Sequence, residues 1–126
     1  PNDLVHVDGE DRAVDPRVDA LARASEALVL RYNPKWTGAD WAGEVPPMPA
    51  WAAGVLTLRA MFWYDEPVPF TREAWRGRMR ACRGVGAAMD VDAVARFDRE
   101  HAALLEAKAP PTFTVTHRID AHIFEV

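Results

Sequence analysis

Apolar residues recur at two different spacings along the chain, and each spacing predicts a type of secondary structure. Over roughly residues 15–32 they fall three or four positions apart, which predicts an amphipathic helix. From Phe113 to Ile123 they alternate with polar residues, which predicts a long terminal strand over residues 112–126. The chain therefore combines helical and extended segments.

Two further strands are predicted where β-branched and aromatic residues run up to turn-forming ones. Leu4 to Val7 forms a short run of this kind and stops at an acidic, glycine-containing turn. Trp51 to Tyr64 is rich in aromatic and β-branched residues toward its end, and Asp65-Glu66-Pro67 closes it. We expect these segments to be the first and second strands.

A pair of helices is predicted between the second and the last strand. Thr71 is a suitable N-cap for a helix that carries Trp75, Met79 and Cys82 and ends at Gly84 and Gly86. A longer helix follows, which Asp90 caps and Pro110-Pro111 stops. The order strand, helix, strand, helix pair, strand predicts an α/β fold in one domain that spans residues 1–126.

Length and charge exclude some classes of function. With 126 residues, of which 49% are hydrophobic, the chain buries only about two thirds of the surface that it exposes when unfolded. We therefore expect a partner to cover part of its apolar area. A net charge of −4 and a pI near 5.5 argue against nucleic-acid binding, which normally needs a basic surface.

The single cysteine and the distribution of apolar residues indicate a compartment. Cys82 has no second cysteine with which to form an internal disulfide or a thiolate zinc site, which favours a reducing environment. No apolar run reaches the ~20 residues that span a bilayer, and residues 1–10 lack the features of a signal peptide. We expect a cytoplasmic protein without a membrane partner.

One segment resembles a known enzyme family. Residues 70–88, FTREAWRGRMRACRGVGAA, and the helical segment 92–100 that follows resemble a recurrent part of class I S-adenosylmethionine-dependent methyltransferases, of the type 11-like group that acts on small molecules. The similarity extends upstream to residues 28–41, which include Arg31-Tyr32-Asn33-Pro34, and downstream to His117-Arg118-Ile119.

The resemblance implies a particular place for each strand. The sheet of that family has seven strands, and its last strand is antiparallel and lies beside the fifth. Leu4–Val7 would be the fifth strand, the Trp51–Tyr64 segment the sixth, and residues 112–126 the seventh. The chain would then be the carboxyl-terminal half of a larger domain, with the last three strands of a Rossmann-like sheet and flanking helices.

The cofactor-binding features of the family are not found in this sequence. The glycine-rich loop after the first strand and the acidic residue that holds the ribose are both absent, and Gly84-Val85-Gly86 lies between two predicted helices rather than after a strand. We therefore expect a missing amino-terminal half to bind S-adenosylmethionine, and we do not expect the chain to be active alone.

The resemblance also suggests acceptor-binding residues. Methyl transfer depends mainly on positioning, so such an enzyme needs an enclosing pocket more than a strong acid or base. In the family, the segment after the sixth strand forms part of a cap over the acceptor. The pocket candidates are Trp63, Tyr64, Trp75, Arg80 and Arg83. The alternative is that the aromatic side chains are core residues and the arginines pair with nearby carboxylates.

His6, Asp8 and Glu10 alternate with other residues, so a strand would place all three on one face, as metal ligands require. Acidic residues beside a turn glycine are common without a ligand, however, and we predict no metal site. Asp8 follows a predicted strand, where open α/β sheets bind ligands, so it is a candidate for a polar contact to cofactor or acceptor. Catalytic and cofactor-binding residues are not assigned.

Three hypotheses of different kinds follow. The first is a methyltransferase part that needs its missing half and a small-molecule acceptor. The second is a non-enzymatic binding or dimerisation module derived from that fold, in which an exposed sheet edge pairs with a second copy of the chain. A stable dimer of the chain favours the second hypothesis. A small metal-binding protein that uses His6, Asp8 and Glu10 is a third, weaker possibility.

Overall fold

The computed structural model describes residues 16–39 and 44–126. In chain order, these residues form three α-helices, one short 3-10 helix and two β-strands. The elements are helix α1 (Pro16–Tyr32), a 3-10 helix (Ala50–Ala52), strand β1 (Thr57–Thr71), helix α2 (Arg72–Arg80), helix α3 (Val91–Lys108) and strand β2 (Thr112–Glu125). The predicted first strand, Leu4–Val7, lies outside the described residues.

The fold is mixed α and β, and the two strands pair in an antiparallel sheet. Cross-strand contacts give the direction. Arg59 contacts Glu125, Asp65 contacts Arg118, and the Phe70 ring lies 6.5 Å from the Phe113 ring. Partner numbers fall along β2 as they rise along β1, as antiparallel pairing requires. The three-strand Rossmann-like sheet of the resemblance is not seen in the described part of the chain, where the sheet has two strands.

Local sequence signals determined several boundaries. α1 ends at Tyr32 as predicted, before Asn33-Pro34. The Thr71 hydroxyl accepts a hydrogen bond from the Ala74 amide, and the Asp90 carboxylate accepts one from the Ala93 amide, so both predicted N-caps are confirmed. α3 ends before Pro110-Pro111, and β2 covers nearly all of the predicted terminal strand.

The predicted end of the second strand is wrong. β1 continues through Asp65-Glu66-Pro67 and on to Thr71. Proline lacks an N–H donor, but a strand that is paired on one side can place its proline nitrogens on the other side. Pro67 and Pro69 are two residues apart and therefore share one side of β1, which leaves the other side to pair with β2.

The predicted start of the same strand is also wrong. Ala50–Ala52 forms a 3-10 turn, and the Leu56 amide donates to the Ala52 carbonyl 3.0 Å away. Gly54 then takes a φ of 77°, a left-handed conformation that glycine adopts without a steric cost. Because this turn occupies the residues after Trp51, the extended conformation begins only at Thr57.

α2 ends earlier than predicted, at Arg80 rather than at the glycines 84 and 86. The chain turns back over the end of the helix, and Cys82 lies in that turn. A Cβ atom added at Gly86 would lie 2.5 Å from the Arg80 carbonyl oxygen. Gly86 therefore permits this close approach instead of marking the end of a helical run.

Contacts between Cα atoms divide the chain into two compact units. In the described residues, the first unit consists of 44–66 and 117–126, and the second of 16–39 and 67–116. β1 and β2 each contribute residues to both units.

The second unit contains the larger core. α3 packs against both α1 and α2. Phe97 and Leu105 of α3 are fully buried, and Leu28 and Val29 of α1 are at most 2% exposed. The other members of this core are Leu21, Trp75, Met79, Val85, Ala109 and Val115. The helical spacing of the core residues in α1, α2 and α3 places one face of each helix in the core.

The first unit has a smaller apolar interior and more exposed apolar side chains. Ala52 is fully buried, and the Trp51 ring lies 5.8 Å from the Phe124 ring although Trp51 is 70% exposed. The other large apolar side chains that are exposed in this unit are Val45, Met48, Val55, Phe62, Tyr64, Ile119, Ile123 and Val126. A two-stranded sheet with such a surface is marginally stable on its own.

Gly84 lies against the indole ring of Trp36, and the Asn33 side-chain amide donates to the Gly84 carbonyl at 3.2 Å. A Cβ atom at residue 84 would lie 2.6 Å from the Trp36 Cγ, inside van der Waals contact. We expect Gly84→Ala to lower the free energy of unfolding by about 1–3 kcal/mol, as overpacking does. Urea denaturation followed by circular dichroism measures this loss.

Gly77→Ala is the matched control for that substitution. Gly77 lies inside α2, and a Cβ atom there meets only the end of the Arg80 side chain at 3.6 Å. Alanine is the better helix former, so the free energy of unfolding should rise by about 0.5–1 kcal/mol. Equal effects of the two substitutions would contradict the steric argument.

None of the helices among residues 16–39 and 44–126 is long and apolar enough to cross a membrane.

Candidate functional site

The predicted pocket residues fall into two groups. Trp63 and Tyr64 lie on β1 in the first unit, and Trp75, Arg80 and Arg83 lie in the second unit. Asp8 lies outside the described residues. Tyr64 is 49% exposed and Arg83 is also exposed, whereas Trp63 is half-buried. The structure therefore leaves Tyr64 and Arg83 accessible to a small molecule.

Trp75 is a core residue of the second unit. It is 5% exposed, and its ring makes edge contacts with Phe70 at 4.9 Å and Phe113 at 6.5 Å. Its indole N–H donates to the Ser25 hydroxyl at 3.0 Å. Both the apolar face and the polar atom of the indole are thus engaged within the protein, as the alternative interpretation of the aromatic residues expected.

Arg80 joins Arg76 in holding one carboxylate between two helices. Arg76 donates to the two oxygens of Asp98 at 3.1 and 2.8 Å, and Arg80 donates to Oδ1 at 2.8 Å. The hydrogen bond from Arg76, together with that from Arg80, lowers the pKa of Asp98 below its ordinary value. These two ion pairs join α2 to α3. They occupy one of the two terminal nitrogens of Arg80, Nη1.

A buried polar chain connects the three helices. Ser25 of α1 and His101 of α3 are both fully buried, and the Ser25 Oγ lies 2.8 Å from the His101 Nε2. Because a hydroxyl has one hydrogen and two lone pairs, Ser25 can accept from Trp75 and donate to His101 simultaneously. We call these three residues the Ser–His–Trp cluster.

The surroundings of His101 keep its imidazole neutral. Burial lowers its pKa to about 4, and the nearby Asp98 carboxylate opposes this shift only in part. Its ring stacks at a tilt on Phe97, 5.4 Å away, and its Nδ1 has no hydrogen-bond partner in the described part of the chain. At neutral pH, His101 is therefore an uncharged core residue.

A serine hydroxyl beside a histidine nitrogen is also the arrangement that activates a nucleophile. A nucleophile must reach its substrate, however, and neither Ser25 nor His101 has any exposed surface. The cluster therefore holds the helices together in this structure and does not present a reactive group.

The sequence contains one signal for this cluster. Ser25 is the only serine of the chain and lies at the same helical spacing as Leu21, Leu28 and Val29. A single polar residue on the apolar face of a helix predicts a buried hydrogen-bond partner. The partner itself lies 76 residues away, and no local pattern identifies it.

A second polar group lies in the first unit. The Arg118 guanidinium donates to both oxygens of Asp65 across the strand pair, and its Nη1 donates to the Glu44 carbonyl at 2.7 Å. Its hydrogen bond to Asp65 raises the pKa of Arg118 above its ordinary value, so this side chain stays charged. Arg118 thus fixes the segment before the 3-10 helix to the sheet.

His122 lies near the end of β2 in the same unit. Its Nδ1 is 3.7 Å from the Asp120 carboxylate, and its ring stacks on Phe124 at 6.1 Å. Within residues 16–39 and 44–126, no three histidine, cysteine or acidic side chains are grouped so that they could hold a metal ion. His6, Asp8 and Glu10 lie outside these residues.

Comparison with known proteins adds no relative to this description. No family model matches the chain, and no curated protein or solved structure matches it either.

Proposed function

We propose that the chain is the carboxyl-terminal part of an S-adenosylmethionine-dependent methyltransferase that acts on a small molecule, and that it contributes walls of the acceptor pocket. The observation that carries the proposal is the antiparallel pairing of β1 and β2 with a helix pair between them. The resemblance of residues 70–88 implies this arrangement for the sixth and seventh strands of the family.

The proposal assigns a place to the rest of the sheet. The predicted strand Leu4–Val7 would lie against the side of β2 that faces away from β1, and an amino-terminal half would supply the remaining strands and the cofactor site. Exposed apolar residues such as Phe62 and Ile123 support the expectation that this part of the chain needs further protein around it.

Within this proposal, the pocket candidates have different roles. Tyr64 is exposed in the first unit, and Arg83 is exposed in the second. Trp75 and Arg80 are bound to Ser25 and Asp98, so they support the pocket by fixing the helices. Such positioning is the main protein contribution that methyl transfer requires. The reaction would take place in the cytoplasm, and no membrane or nucleic acid takes part.

The test is a calorimetric titration of S-adenosylhomocysteine, first into the 126-residue chain and then into the longer polypeptide that the proposal requires. We expect no binding to the chain alone and micromolar binding to the longer polypeptide, because the cofactor loop lies outside this sequence. Adenosine is the matched control ligand, since it lacks the amino-acid part. A longer polypeptide that does not bind S-adenosylhomocysteine would overturn the proposal.

A binding or dimerisation module is the second candidate, and the exposed apolar residues of the first unit favour it. The two candidates use the side of β2 that faces away from β1 differently. The methyltransferase hypothesis predicts that Leu4–Val7 pairs there, whereas the module hypothesis predicts that a second copy pairs there. Dimerisation through β2, together with no binding of S-adenosylhomocysteine by any longer polypeptide, would favour the module.

A further inference from the structure

The second unit is positively charged, although the chain as a whole is negative. Its described residues, 16–39 and 67–116, contain twelve lysines and arginines but eight aspartates and glutamates, a formal charge of +4, whereas the whole chain carries −4. Part of this positive charge is already paired, as in the bonds of Arg76 and Arg80 to Asp98. The cations that are open to a ligand are therefore those that remain unpaired.

Lys35 and Arg83 are two unpaired cations at one junction of the second unit. Both residues are exposed, and neither side chain has an ion-pair or hydrogen-bond partner in the part of the chain that the structure describes. Lys35 lies in the segment that follows α1, and Arg83 lies in the turn that follows α2. These two segments contact each other where the Trp36 ring packs against Gly84.

The side chain of Asn33 links the backbones of the two segments. Its Oδ1 accepts a hydrogen bond from the Lys35 amide at 3.3 Å, and its Nδ2 donates to the Gly84 carbonyl at 3.2 Å. Arg83 immediately precedes Gly84 in the chain, so its Cα atom is one step of about 3.8 Å from that of Gly84. One amide side chain therefore holds the backbones of the two free cations close together.

We propose that Lys35 and Arg83 together bind an oxyanion, the carboxylate or phosphate group of the methyl acceptor. An anion between the two side chains is attracted by both, and the guanidinium can donate two parallel hydrogen bonds to it. Because Asn33 already fixes the two backbones, binding needs to order only the side chains. The role in acceptor binding rests on the proposed methyltransferase function, and it narrows the acceptor to small molecules that carry a negative group.

The test is a titration of the isotope-labelled 126-residue chain, followed by nuclear magnetic resonance at constant ionic strength. Inorganic phosphate is one probe, and succinate is the carboxylate probe. We expect saturable shifts of the backbone amide signals of Lys35, Arg83 and Gly84 with at least one probe, and the tighter probe identifies the group on the acceptor. Lys35→Gln and Arg83→Gln should each raise the Kd about tenfold, as loss of a charge-assisted hydrogen bond does.

Lys108→Gln and Arg78→Gln are the matched controls, because each removes an exposed cation of the same type elsewhere in the second unit. They should leave the Kd unchanged. If neither probe gives a saturable shift at this junction, or if the controls weaken binding as much as the two test variants, the proposal is wrong. The titration uses no cofactor, so the oxyanion site and the binding of S-adenosylhomocysteine by a longer polypeptide can fail independently.

Discussion

Replacement of Trp75 by alanine is expected to lower the free energy of unfolding by about 3–5 kcal/mol, the range for truncation of a large buried aromatic residue. Trp75 is 5% exposed and contacts the rings of Phe70 and Phe113. Truncation also removes the indole donor that the Ser25 hydroxyl accepts from, inside a core where an unmatched polar group is costly. The lost ring contacts and the lost hydrogen bond both weaken the packing around Trp75.

Urea denaturation followed by far-ultraviolet circular dichroism measures this loss without relying on tryptophan fluorescence. Tyr64→Ala is the matched control, because Tyr64 is also an aromatic pocket candidate but is 49% exposed. Its effect should be below about 1 kcal/mol, as for most surface substitutions. If Trp75→Ala leaves the stability unchanged as well, Trp75 does not support the core and a direct role in acceptor binding becomes the better interpretation.

Acidification from pH 6.5 to pH 4 is expected to destabilise the second unit by about 3 kcal/mol through His101 alone. Burial lowers the pKa of His101 from 6.5 to about 4 in the folded protein. In this interval the unfolded chain binds a proton at His101 and the folded chain does not, so protons favour unfolding. The loss begins as the pH falls through 6.5 and is complete near the folded pKa of about 4.

The measurement is the free energy of unfolding in urea at a series of pH values between 7 and 4. His101→Gln is the matched variant, because glutamine can bond to Ser25 but does not titrate. Its stability should vary less with pH over this interval than that of the unsubstituted chain. Asp98 contributes separately at lower pH, because its pKa lies below the ordinary value and its ion pair is lost only when that carboxylate is protonated. Identical pH profiles for the two proteins would show that His101 is not buried in its neutral form.

Local chemistry in the sequence determined where most helices begin and end. Thr71 and Asp90 cap their helices because each side chain reaches an amide three residues ahead, and Pro110-Pro111 stops α3 because proline disfavours helical backbone in the residue before it. The alternation from Phe113 to Ile123 determined β2 in the same way. These rules act over a few residues, so the local sequence alone determines these boundaries.

Only the tertiary structure decided the features that depend on distant neighbours. The extension of β1 past Pro67 follows from the presence of β2 on one side of it, and the early end of α2 follows from the return of Gly86 toward Arg80. Tyr64 and Arg83 stay predicted pocket residues, and the sequence indicated no pairing of Ser25 with His101, 76 residues apart. Such contacts depend on how separate elements pack, and the residue types along one segment do not determine that packing.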